Sequence, residues 1–78
     1  MNKVYSGNLY GNIFLMIQLE TMDIKKEMIA CLELGNMHGE QGDEDTALDY
    51  YVKGLQLSRE LNDSSRTKQF SNLILTYI

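Results

Sequence analysis

The 78-residue chain contains no proline, and that absence constrains its fold more than any motif it carries. Proline is the strongest helix breaker, so a chain without it can form long uninterrupted helices. The apolar residues follow suit. Ile24, Met28, Cys31, Leu32, Gly35 and His38 recur mostly in steps of three and four, the helical period. Ala47, Leu48, Tyr51, Gly54, Leu55, Ser58 and Leu61 form a second such stripe, and Phe70, Leu73, Ile74 and Tyr77 a third. Two polar breaks separate them, Gly42-Asp43 and Asn62-Asp63-Ser64. Gly42 can take the positive φ that ends a helix, and Asp43 can cap the next, with Glu44 and Asp45 in its acidic first turn. Gly42-Asp43 therefore reads as an elbow between two antiparallel helices. A phosphate loop would need a preceding strand, a glycine-rich run and a Lys-Ser or Lys-Thr pair, and none is present.

The N-terminal segment is read as a further helix over residues 4–21. Tyr5, Leu9, Ile13, Met16 and Ile17 support it, while Gly7 and Gly11 weaken it. Ile13, Leu15, Ile17 and Leu19 alternate as a strand would, but a lone strand would leave its backbone unsatisfied. Asp23 can cap a new helix after this segment, with Lys26 where a capping box would place Glu. The expectation is an all-α domain over 1–78 with about four helices. Residues 4–21 cover one open face, 24–62 make a helical hairpin, and 64–78 begin a further unit.

Composition removes several functions. Seven basic residues against eleven acidic give a net charge of −4. The basic residues are scattered, whereas nucleic-acid binding needs them clustered. The apolar run "IFLMIQL", residues 13–19, is too short to span a bilayer and is a poor secretory signal. Cys31 is the only cysteine, so no intrachain disulfide forms, and a reducing interior suits it. No nucleic acid and no membrane are expected as partners, and a cytoplasmic location is.

The spacing of small and large residues is more specific. Leu34-Gly35, His38, Ala47, Tyr51 and Gly54 form a ladder across two helices. It resembles the tetratricopeptide repeat, whose pattern is Leu-Gly, an aromatic, then Ala, an aromatic and a small residue. His38 stands in for the first aromatic, Gly54 for the usual Ala, and Cys31 where a large aromatic is common. Phe70, Leu73 and Tyr77 repeat the spacing in part, with Ile74 in place of Gly. Leu34 and Leu73 lie 39 residues apart by position, longer than the common period of about 34. That length is similar to the subclass of bacterial regulators, whose repeats occur in peptide-sensing regulators, sensor-kinase ectodomains and cytosolic scaffolds.

The resemblance implies a noncatalytic protein- or peptide-binding module. Asn36 and Asn72 would grip the backbone of an extended peptide, since an amide both donates and accepts. The plainer reading of both is a local or water-mediated bond. Ile29, Leu32, Gly39 and Glu40 would share Asn36's concave surface, with Lys68 beside them. Repeats that hold a terminal carboxylate carry Lys one turn before that Asn; here Leu32 takes the place. Cys31, Leu34, Gly35, His38, Ala47, Tyr51, Gly54, Phe70, Leu73 and Tyr77 would be packing residues. About three repeats normally make such an array stable, so the apolar end "LILTYI" calls for cover, by more of a longer chain or by a second copy. A homodimer is expected, and a purely structural dimerisation module is the alternative function.

Other chemistry finds little support. Cys31 and His38 share a helical face, but a zinc site needs further ligands and no second Cys or His exists. Nucleophilic catalysis would want a base and an orienting group around the thiol. Glu40, Asp43, Glu44 and Asp45 lack the ligand spacing of a calcium loop and suit a solvated helix start. No cofactor, no metal and no catalytic residue is expected.

Overall fold

A computed structural model describes the backbone of residues 2–78 and the side chains of residues 17–78. It is all-helical, with α1 over Asn2–Glu40, α2 over Glu44–Glu60 and α3 over Ser64–Thr76. No strand occurs among the described residues.

The helix count departs from expectation, three rather than about four. Residues 4–21 do not form a separate helix folded back on the hairpin; they run without a break into the helix that ends at Glu40. Asp23 lies inside α1 rather than capping a new one. The reason is local: between Ile17 and Asp23 there is neither glycine nor proline to end a turn, and a capping residue starts a helix only where the chain has already left one. The side chains of Tyr5, Leu9, Ile13 and Met16 lie outside the described residues.

Both elbows are built alike. Gly42 has φ of 82° and Asn62 a φ of 55°; glycine and asparagine are the residues that enter this left-handed region at least cost. At the first elbow the Gly42 amide donates to the Gly39 carbonyl at 3.1 Å and the Asp43 amide to His38 at 2.9 Å. At the second, the Asn62 amide donates to Arg59 at 3.1 Å and the Asp63 amide to Ser58 at 2.9 Å. This paired pattern satisfies the last carbonyls of each helix. Each Asp then caps the next helix, Asp43 accepting from the Thr46 amide and Asp63 from the Arg66 amide.

The helices pack antiparallel in sequence order. Gly35 lies against the Tyr51 ring and Gly39 near Ala47, which sets the α1–α2 register. Gly54 lies against the Phe70 ring, setting α2–α3. Met28, Ala47, Tyr51 and Phe70 form the buried core, with Leu32, Leu55, Leu61, Leu73 and Ile74 among the half-buried residues packed on it. Cys31 is buried beside it, 3% exposed. The molecule measures 59 × 21 × 13 Å, and its long dimension is the length of α1, about 58 Å at 1.5 Å per residue.

Candidate functional site

Tyr51 is the centre from which the site is built. Its ring fills the gap left by Gly35, between the rings of Phe70 at 6.5 Å and Tyr77 at 6.0 Å. Its hydroxyl emerges at the surface of α1 and donates to Asn36 Oδ1 at 2.6 Å. Asn36 is exposed, so a core residue fixes the orientation of a surface amide. Burial raises the Tyr51 phenol above its ordinary range, and the adjacent Tyr77 hydroxyl pushes the same way. The phenol therefore stays protonated and stays a donor. The Asn36 Nδ2 group makes no hydrogen bond among the described residues.

Ile29, Leu32, Gly39 and Glu40 lie on the same side of α1 as Asn36, by steps of three and four. Ile29 and Leu32 are half-buried and packed on the core, while Glu40 is exposed. Gly39 sits under the Tyr77 hydroxyl, where α3 reaches back to α1. This much of the expected surface is assembled.

Lys68 and Asn72 are placed differently. Lys68 lines a shallow recess of about 630 Å³ together with Arg59, Asn62, Ser64 and Thr67, so it turns toward α2 and not toward α1. Asn72, one turn further along α3, is exposed and shares that side of the helix. The rotation of α3 is fixed by Phe70 against Gly54 and by a contact between Ser58 Oγ and Thr67 Oγ1 at 2.8 Å. Ser58 is fully buried and also reaches the Leu55 carbonyl at 2.7 Å, while Thr67 reaches Asp63 at 2.9 Å. With one proton each, the two hydroxyls satisfy two of these three contacts at a time. The place of Arg59 beside Lys68 follows from a helix register that no local pattern encodes.

The packing residues fall where close approach needs them. Gly35, Ala47, Tyr51, Gly54 and Phe70 are buried, and Leu34, His38, Leu73 and Tyr77 are half-buried. His38 stacks on Tyr50 with ring centroids 5.6 Å apart, and its Nδ1 lies 3.6 Å from Asp43 Oδ2. Hydrogen bonds from Thr46 hold the Asp43 carboxyl below its usual range, with His38 adding to the effect. Burial raises the Cys31 thiol, which suits a packing residue rather than a reactive one. Glu27 and Lys53 pair across α1 and α2 at 3.1 Å and hold the Lys53 ammonium above its usual value; both are exposed, so the pair adds little to stability.

Among the described residues no group of three or more His, Cys, Asp or Glu could hold a metal ion, and no helix is long and apolar enough to cross a membrane. No protein-family model, curated protein or solved structure matches the chain.

Proposed function

We propose that this chain is a noncatalytic helical-repeat module, similar to a tetratricopeptide repeat, that binds an extended segment of another protein. The observation that carries the reading is the Tyr51–Asn36 bond. An exposed Asn would ordinarily lose side-chain freedom on gripping a ligand. Here the core has already oriented it, leaving its amide N–H groups free to donate to a peptide carbonyl. Ile29 and Leu32 supply apolar contact on the same face, and Glu40 an acceptor at its end. The two elbows of like construction support the repeat reading, as does the ladder of Gly35, Ala47, Tyr51 and Gly54. A cytoplasmic regulator or scaffold is the setting such a module fits.

A purely structural module is the second reading, with two copies meeting through the end of α3. It is favoured by the exposure of Leu75 at 67% and Ile78 at 89%.

Panning a random peptide library on the immobilised chain tests the first reading. Asn36→Asp keeps the acceptor for Tyr51 but removes the amide donor, so capture of the selected peptides should fall while the melting temperature holds. Lys68→Ala, on the α2 side of α3, should leave capture unchanged. Failure to enrich any sequence, or enrichment indifferent to Asn36→Asp, refutes the assignment.

A further inference from the structure

Two basic side chains from different helices meet in one recess. Arg59, in the last turn of α2, and Lys68, on α3, line it with Asn62, Ser64 and Thr67 around a volume of about 630 Å³. Among the described residues no carboxylate lines it. Glu60 and Asp63 are its acidic neighbours in sequence; Asp63 is engaged in capping α3, where it accepts from the Arg66 amide at 3.1 Å.

The sign of the charge reverses here. From Arg59 onward the chain holds three basic and two acidic side chains, a net of +1, whereas residues 1–58 hold four and nine, a net of −5. Lys53 pairs with Glu27 at 3.1 Å and Arg66 reaches Gln69 Oε1 at 2.9 Å. The side chains of Arg59, Asn62, Ser64 and Lys68, by contrast, make no ion pair and no hydrogen bond among the described residues. The two cations are also held together by the core. Each follows in sequence one member of the hydroxyl contact that joins α2 to α3, Ser58 Oγ to Thr67 Oγ1 at 2.8 Å, and Ser58 is fully buried. Phe70 against Gly54 fixes the same junction. The backbone beneath Arg59 and Lys68 therefore cannot spread to relieve their repulsion without breaking buried contacts.

Four donor side chains without partners suit an oxyanion. A guanidinium offers a fork of N–H groups, an ammonium three donors, an amide two and a hydroxyl one. A carboxylate brings one charge and two oxygens to such a set. A phosphate monoester brings close to two charges and three acceptor oxygens, which matches two cations and this many donors. The recess is shallow, whereas sites for small molecules enclose most of their ligand. A phosphoryl group presented on the surface of another polypeptide needs no such enclosure, and the aliphatic stems of Arg59 and Lys68 offer apolar contact to the chain that carries it.

We infer that the recess between α2 and α3 binds a phosphorylated serine or threonine side chain of a partner protein. Arg59 and Lys68 grip the phosphoryl oxygens, and Asn62 and Ser64 complete the donor set. The recess shares no residue with the Asn36 surface and does not rest on the peptide reading. An unphosphorylated peptide selected on that surface carries no group for it.

The test is a ¹H–¹⁵N titration of the full chain, at constant ionic strength, with an N-acetylated alanine–phosphoserine–alanine amide. The backbone amides of Arg59, Asn62, Ser64 and Lys68 should shift and saturate with a dissociation constant below about 1 mM, while the Asn36 side-chain amide stays still. Arg59→Gln and Lys68→Gln, both at exposed positions, should each weaken binding at least about tenfold and leave the rest of the amide spectrum in place. Lys53→Gln removes an equal charge elsewhere and should change nothing. The same tripeptide with unmodified serine should give no shift in the recess; with glutamate in that place, it should bind at least about tenfold more weakly. A weaker or unsaturable response overturns the inference, as does an equal loss from Lys53→Gln or a glutamate peptide that binds as well. Inorganic phosphate binding as tightly as the phosphopeptide overturns the assignment to a partner's side chain.

Discussion

Replacing Gly35 with Ala opposes two effects of similar size, and the structure says which wins. Gly to Ala in a helix interior gains about 0.8–1 kcal/mol of intrinsic propensity. Against this, a Cβ at position 35 would sit 2.5 Å from Tyr51 Cε1, 2.8 Å from Cδ1 and 3.1 Å from Cζ. The ring would have to retreat by roughly an ångström to reach ordinary contact. It has no room to do so freely, because Phe70 and Tyr77 pack on it and its hydroxyl is tied to Asn36. Overpacking of a well-filled core costs about 1–3 kcal/mol, and stretching the Tyr51–Asn36 bond adds up to about 1 kcal/mol. The net expectation is a loss of about 1–2 kcal/mol, or a fall in melting temperature of about 4–16 °C for a domain this size. Urea and thermal denaturation at one fixed protein concentration read it, concentration being held because self-association shifts apparent stability. A Gly35→Ala chain more stable than wild type by about 1 kcal/mol would show that propensity alone acts at this position and that the close α1–α2 approach is absent.

Three further outcomes follow from the same contacts. Asp43→Asn should keep the cap of α2, since Asn caps as well as Asp, but should blunt acid sensitivity. The Asp43 carboxyl is held below its unfolded value, so its contribution is present above a pH of about 4 and is lost as pH falls through the lower folded value; melts at descending pH should separate the two chains only at neutral and mildly acidic pH. Cys31 should react with an alkylating reagent at least about tenfold more slowly in the folded chain than in urea, a ratio that needs only ~1.4 kcal/mol of opening, and equal rates would place the thiol outside the core. Tyr51→Phe should cost about 1 kcal/mol in denaturation and should remove a loss of stability at high pH. Burial raises the Tyr51 phenol, so its contribution is full below the unfolded value near 10 and disappears as pH rises through the folded one.

The parts of the fold legible in the sequence are those fixed by short-range chemistry. Gly42 with Asp43, and Asn62 with Asp63, announce elbows because few residues take a positive φ and few cap a helix. The small residues Gly35, Ala47 and Gly54 announce close approaches because each falls on the apolar stripe of its own helix. The continuity of α1 was hidden by Asp23, a residue that caps when a helix starts and merely points to solvent when one continues. The position of Lys68 was hidden for a different reason. Sequence places it four residues before Asn72, but only the docking of Phe70 on Gly54 sets which neighbour that side of α3 faces. Asn36 was legible as a surface amide; its fixing by Tyr51 depends on a contact between residues fifteen positions apart that the ladder implies without specifying.

A ¹H–¹⁵N NMR titration of the full chain with a peptide selected by panning tests the Asn36 surface most directly. The Asn36 side-chain amide should shift most, with backbone shifts at Ile29, Leu32 and Glu40, while Lys68 and Arg59 stay still. Shifts confined to the α2–α3 recess around Arg59 and Lys68, with Asn36 unmoved, would contradict it.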